Sequence, residues 1–197
     1  MEDIKIVYID DSPEIALSKF LDKYLLDGCR IEYSDIQFKP EEGYESLINN
    51  PEVQSANVIF IDSRLFENHT AITGKFTGEE FKIILKKYFP FIEVIVVTQN
   101  EINNDYEMVA KYNSKSGVTS EKYYQQKLPP ILEHAIRNVC QFRKIALVME
   151  ENQNWESVMI EKITNSIKGY GVYDELTKSD IDHIIIAFKE LQEKIDG

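Results

Sequence analysis

The chain has 197 residues, 34 acidic against 22 basic, with a formal charge of -12 and 43% apolar content, enough for one packed domain with or without an appendage. So acidic a protein is a poor match for nucleic acid or an anionic membrane unless its positive charge is strongly segregated, and protein or cation partners are expected instead. No apolar stretch approaches the roughly 20 residues of a membrane helix, Cys29 and Cys140 belong to no metal-ligand spacing and read as reduced and buried, and MEDIKIVYIDD has no basic region or cleavage pattern, so a cytoplasmic location is expected.

Residues 4 to 9 form a β-branched run that predicts a buried strand closing on Asp10 and Asp11. PEIALSKFLDKYLLDG predicts helix one, with Ile15, Ala16, Phe20, Tyr24 and Leu25 as its apolar positions and Gly28 as its stop. RIEYSDIQF is strand two, Glu41 to Asn49 a helix ahead of Pro51, and NVIFID a third strand closing on Asp62. GEEFKIILKKYFP predicts an amphipathic helix ended by Pro90, and FIEVIVVT a buried strand closing on Thr98. EINNDYEMVA reads as a short helix and KYNSKSG as a short fifth strand. Strands alternating with helices predict an α/β fold with a doubly wound parallel sheet.

After Gly117 the pattern is helical. Pro129 and Pro130 suit the first turn of a helix whose apolar face is Leu132, Ile136, Val139, Cys140 and Phe142 or Arg143. Ile145, Val148, Met149, Asn152, Trp155, Met159, Ile163 and Ile167 keep a three-four spacing, compatible with one continuous helix or with a break near Asn152. The GYG at 169 to 171 is a break, Ser179 with Asp182 resembles a capping box, and Ile181, Ile184, Ile185, Phe188, Leu191 and Ile195 give a last helix an apolar stripe. The expected division is an α/β domain over 1 to 145 and a helical extension over 146 to 197.

The chemistry lies in the strand-end acids. A carboxylate costs several kcal/mol to bury unpaired, so it ends an apolar run where the strand opens into a polar cleft. In parallel sheets the carboxyl ends of strands are where ligands bind. If the first and third strands are neighbours, Asp10, Asp11 and Asp62 converge, and such a group holds a cation or keeps a proton. The bland alternative is that they are helix caps and turn residues; Asp11 alone could cap helix one. His134 reads as a solvated helix-face residue, His69 and His183 have no partner in sequence, and Trp155 suits a core or interface.

The alternation, the acidic pair after strand one and the aspartate after strand three resemble the receiver domain of bacterial two-component response regulators over about residues 3 to 145. The resemblance implies a five-stranded flavodoxin-like sheet in order 2-1-3-4-5. It implies Mg2+ held by Asp10, Asp11, Asp62 and the backbone carbonyl of Arg64, with Asp62 as phosphoacceptor. Thr98 and Lys115 would complete the reacting group, and Tyr112, three positions before that lysine, would be an aromatic switch with Thr98. The departures are a long LFENHTAITGKFT segment after Asp62, Ser116 in place of the proline that usually follows the lysine, and a polar fifth strand that makes Lys111 a rival for the lysine role.

The expected function is therefore a phosphoacceptor signalling protein and not a separate enzyme. Its phosphodonor would be a histidine kinase or phosphotransfer protein, and its C-terminal helices would pair with themselves or a protein partner, without direct nucleic-acid contact. The alternatives are a receiver-like interaction module that works without phosphate, and an aspartate-dependent phosphohydrolase, which wants an aspartate two residues after its nucleophile where Asp10 is followed by Asp11 and Ser12.

Overall fold

The computed structural model describes residues 1–66, 77–99, 107–151 and 157–168. Its β-branched runs become five parallel strands: β1 (Glu2–Asp10), β2 (Cys29–Gln37), β3 (Val58–Asp62), β4 (Glu93–Thr98) and β5 (Met108–Ala110), in the order β2-β1-β3-β4-β5. The doubly wound order 2-1-3-4-5 is thus observed. All five residues of β3 are buried, as a strand covered on both faces requires.

Two cores flank the sheet. On one face, Ile4, Ile6 and Tyr8 of β1 and Val58 and Phe60 of β3 pack with Leu17 and Leu21 of α1 (Ile15–Asp22) and with Tyr124, Leu128 and Leu132 of α5 (Ser120–Glu151). On the other, Val7, Ile9, Ile59 and Ile61 meet α2 (Gly43–Ile48), α3 (Pro51–Gln54) and α4 (Gly78–Tyr88). The period-two alternation of each strand assigns its residues between these cores.

Several local expectations are corrected. Helix one buries Leu17 and Leu21, whereas Ile15 and Leu25 are 70% and 87% exposed. It ends at Asp22, and Gly28 instead sits at φ 81° in the turn that enters β2. The predicted second helix is a 3-10 turn at Pro40–Glu42 followed by α2, and Pro51 opens α3. The fifth strand is Met108–Ala110, from the stretch read as helical, while KYNSKSG carries a 3-10 turn at Ser114–Ser116. Asn113 accepts from the Lys115 N–H at 3.0 Å and Gly117 adopts φ 74°, so turn chemistry governs there.

Helix α5 begins nine residues before the proline pair and runs through Pro129 and Pro130. Prolines there cannot donate to the carbonyls of Gln125 and Gln126. Both glutamines are exposed, so water can serve those carbonyls, while buried Tyr124, Leu128, Ile131 and Leu132 anchor the helix on either side. A further helix, α6 (Ser157–Ile167), packs on α5, with Lys168 paired to Glu150 at 3.0 Å. Cys29 and Cys140 are free and half-buried, where full burial was expected. No helix among the described residues is long and apolar enough to cross a membrane. The GYG break, the capping box at Ser179, the last helical stripe, Trp155, His69, His183 and most of the segment after Asp62 lie outside the described residues.

Candidate functional site

β1 and β3 are neighbours in register Ile9↔Ile61, so Asp10 and Asp62 end adjacent strands. Each stands two residues beyond a side chain of the α1/α5 core, Tyr8 and Phe60, and so projects on that face. Strand ends are stitched together by backbone bonds from Phe38 N–H to Asp10 O at 2.9 Å and from Ser63 N–H to Val97 O at 2.8 Å. One oxygen from each of Asp10, Asp11 and Asp62 lies within 4.8 Å of the others.

Lys111 is the lysine of this cluster. It stands two residues beyond Val109 of the same core, and its backbone N–H donates to Thr98 O at 2.6 Å. Its Nζ lies 2.7 Å from Asp62 Oδ1 and 3.0 Å from Asp10 Oδ2. Lys115, which the resemblance nominates, is exposed in the Asn113-capped turn. The rival register, four residues earlier, is the one the structure shows for the lysine.

Tyr112 follows with it. The position three before Lys111 is Met108, half-buried against the α4 core. Tyr112 sits one residue after the lysine with its hydroxyl donating to Val118 O at 2.9 Å and its ring edge-on to Tyr123 at 5.9 Å. Thr98 ends β4 at 1% exposure. Arg64 is exposed, and its backbone N–H donates to Asp62 Oδ2 at 3.0 Å.

Three residues to which the sequence assigned no role support the acids from behind without belonging to the ligand set. Buried Tyr8 donates its hydroxyl to Asp10 Oδ2, whose other oxygen accepts from Ser12 N–H at 2.9 Å. Glu14, the residue preceding α1, accepts from the Tyr124 hydroxyl at 2.6 Å. Gly78 opens α4 with its N–H on Ser63 O at 2.8 Å, so close to the strand end that a Cβ would stand 2.4 Å from Asp62 O. A signal existed for the last: Thr77 and Glu80 form a capping box that fixes where α4 starts.

The charges explain one another. Burial raises the Asp62 pKa above the ordinary value; Lys111 opposes this and the like charge of Asp10 adds to it. Burial works against the Lys111 ammonium, but its hydrogen bonds to Asp62 and Asp10 outweigh that and raise its pKa. Two buried carboxylates share one ammonium, leaving a surplus of negative charge that a cation can relieve. Burial likewise raises Glu14, with Tyr124 and Lys111 opposing.

Hard carboxylate oxygens in a half-open group suit Mg2+, which takes one to three protein oxygens and keeps several waters. Asp10, Asp11 and Asp62 fit that requirement by donor type and spacing.

The fold is receiver-like. Sheet order, strand-end acids and a lysine from the fifth strand's end agree on it. No protein-family model and no curated protein matches the sequence. Among solved structures, the receiver-like chain is similar to the two-component response regulator RcsB in complex with DNA, at 15% identity and a TM-score of 0.37 over 85% of this chain and 93% of that one. It is similar too to RcsB of Salmonella typhimurium, at 16% identity and TM-score 0.37 over 86% and 93%. A third is RcsB from Salmonella enterica serovar Typhimurium bound to a promoter in the presence of the phosphomimetic BeF3-, at 17% and 0.37 over 87% and 94%. Likeness at this level transfers no residue roles.

Proposed function

We propose that the protein is a phosphoacceptor signalling protein in which Asp62 receives a phosphoryl group. The observation that carries this reading is Lys111 Nζ placed 2.7 Å from Asp62 Oδ1 and 3.0 Å from Asp10 Oδ2. A cation so placed offsets the repulsion between a carboxylate nucleophile and an anionic donor. Asp62 has one oxygen on Lys111 and the other on the Arg64 N–H, which fixes its orientation for attack. Mg2+ on Asp10, Asp11, Asp62 and the Arg64 carbonyl would supply charge neutralisation of donor and acceptor oxygens. The carboxylate attacks phosphorus, the donor's bond breaks, and an acyl phosphate forms with about -1.5 to -2 charge at the strand end. Thr98 then lies one strand away as a hydroxyl donor to that group. The donor we expect is a histidine kinase or phosphotransfer protein.

Ile145, Leu147 and Val148 of α5 and Met159 of α6 are large apolar side chains about half exposed or more. They support an output through self-association or protein docking, and the acidic composition favours protein over nucleic acid as that partner. Light scattering with and without BeF3-, and a titration with duplex DNA, test it; tight DNA binding with no protein association would reverse it.

One observation favours the reading without phosphate: Met108 occupies the place three before the lysine where the resemblance wants an aromatic. A titration with Mg2+ and BeF3-, an acyl-phosphate mimic, separates the two. Phosphoacceptance predicts large shifts in the Arg64, Thr98 and Lys111 amides, abolished in Asp62→Asn. A folded protein whose amides do not respond would favour the interaction module.

A further inference from the structure

A second polar path leaves Asp10. The Tyr8 hydroxyl donates to Asp10 Oδ2, the same oxygen that Lys111 approaches at 3.0 Å. The Glu14 backbone N–H is directed at the Tyr8 hydroxyl oxygen at 3.4 Å. Glu14 Oε2 accepts from the Tyr124 hydroxyl at 2.6 Å, and that hydroxyl accepts from the Tyr112 N–H at 3.0 Å. Acid cluster and α5 are thus joined by two tyrosines and one glutamate. Packing alone does not ask for this: phenylalanine would fill the volumes at 8 and 124 without a hydroxyl that must find a partner in a fully buried place.

The path starts where the chemistry would act. A carboxylate has about four acceptor positions, and Asp10 uses three of them, on Tyr8, Lys111 and Ser12. A cation joining the cluster draws on an Asp10 oxygen or displaces Lys111 from it. Either event changes how strongly Oδ2 accepts from Tyr8, and polarised hydrogen bonds in a low-dielectric interior pass such changes on.

We infer that Tyr8, Glu14 and Tyr124 are positioning residues that carry the state of the acid cluster to the first turns of α5. The inference rests on the proposed function, because it takes the cluster to be the site that changes state. It assigns the coupling to the α1/α5 face of the sheet, where a Thr98-to-aromatic route would have required a ring at the position of Met108.

The test is a magnesium chloride titration of the full-length protein followed by amide NMR. Arg64 and Ser12 N–H groups, bonded to Asp62 and Asp10, report arrival of the cation, while Tyr124 and Leu128 report α5. In the wild type both pairs shift with one dissociation constant. In Tyr8→Phe the Arg64 shift and the affinity stay within about threefold, while the α5 increments fall by about half or more, as expected for loss of a coupling route and not of the site. Glu14→Ala loses the α5 increments, whereas Glu14→Gln, which keeps an acceptor for Tyr124, retains them. A purely structural role would move the magnesium-free peaks and leave the increments alone. Undiminished α5 increments in Glu14→Ala overturn the inference, and Glu14 is half-buried, so this pair decides the matter should Tyr8→Phe not fold. Absence of any Arg64 or Ser12 shift in the wild type marks failure of the cation reading itself, and the inference falls with it.

Discussion

Lys111 places its ammonium 2.7 Å from Asp62 Oδ1, and it does so from the first residue beyond β5. That position is dictated by the strand's length: β5 has three residues, and Val109, two before the lysine, points into the core on the side of the acids. Removing this ammonium leaves two buried carboxylates facing each other. Lys111→Ala is therefore expected to destabilise the protein by about 3 kcal/mol, to bind Mg2+ about tenfold more tightly because a competing cation is gone, and yet to accept phosphate at least about a hundredfold more slowly. Lys115→Ala should match the wild type in all three. Urea unfolding, calorimetry and phosphoryl transfer on the two variants check this, and equal effects would contradict the placement of the lysine.

Asp62 predicts a pH dependence. Burial raises its folded-state pKa above the ordinary value of 3.8, so in that window the folded state binds more protons than the unfolded chain. Stability relative to Asp62→Asn therefore falls as pH rises from 3.8 through the raised value, then levels off. Saturating Mg2+ should flatten the slope. Urea midpoints of both proteins across the acidic range measure the difference; a rise with pH in the absence of metal has the wrong sign.

Gly78 is required by contact and not by its backbone angles. A Cβ there would stand 2.4 Å from Asp62 O and 2.9 Å from Ser63 Cα, both backbone atoms. Gly78→Ala should destabilise by about 1–3 kcal/mol through forced displacement of a packed backbone, and should weaken Mg2+ binding as Asp62 shifts. Calorimetric unfolding together with a metal titration would show whether stability and site move together.

Tyr112→Phe removes a hydroxyl that donates to Val118 O. A loss of about 1 kcal/mol in stability is expected, with the response of the Thr98 amide to Mg2+ and BeF3- unchanged. Loss of that response would return Tyr112 to the switch role that its place after Lys111 argues against.

The sheet was legible because β-branched runs ending in acid have few other uses: IKIVYIDD and VIFIDSR declare both their strands and their cleft. The end of the fifth strand was not. Three residues carry too little periodicity to stand out from the EINNDYE before them, and the Asn, Ser and Gly of KYNSKSG, read as strand, were turn formers all along. The prolines of α5 misled for a related reason: Gln125 and Gln126, whose carbonyls they leave without a helical donor, are exposed residues, and buried leucines hold the helix around them. Tyr8 lies within the run read as a buried strand and Tyr124 had no assigned role; only the fold buries both and shows that their hydroxyls point at Asp10 and Glu14.

Phosphoryl transfer to Asp62 is the central claim, and intact-mass analysis tests it most directly. The protein is incubated with a small-molecule phosphodonor with Mg2+ or with chelator, alongside Asp62→Asn and Lys111→Ala. One phosphoryl group added to the wild type in Mg2+, lost on mild alkaline treatment as an acyl phosphate is, and absent with chelator or from Asp62→Asn, is the predicted result. An unmodified wild type that nevertheless binds Mg2+, or modification that persists in Asp62→Asn, would contradict the account.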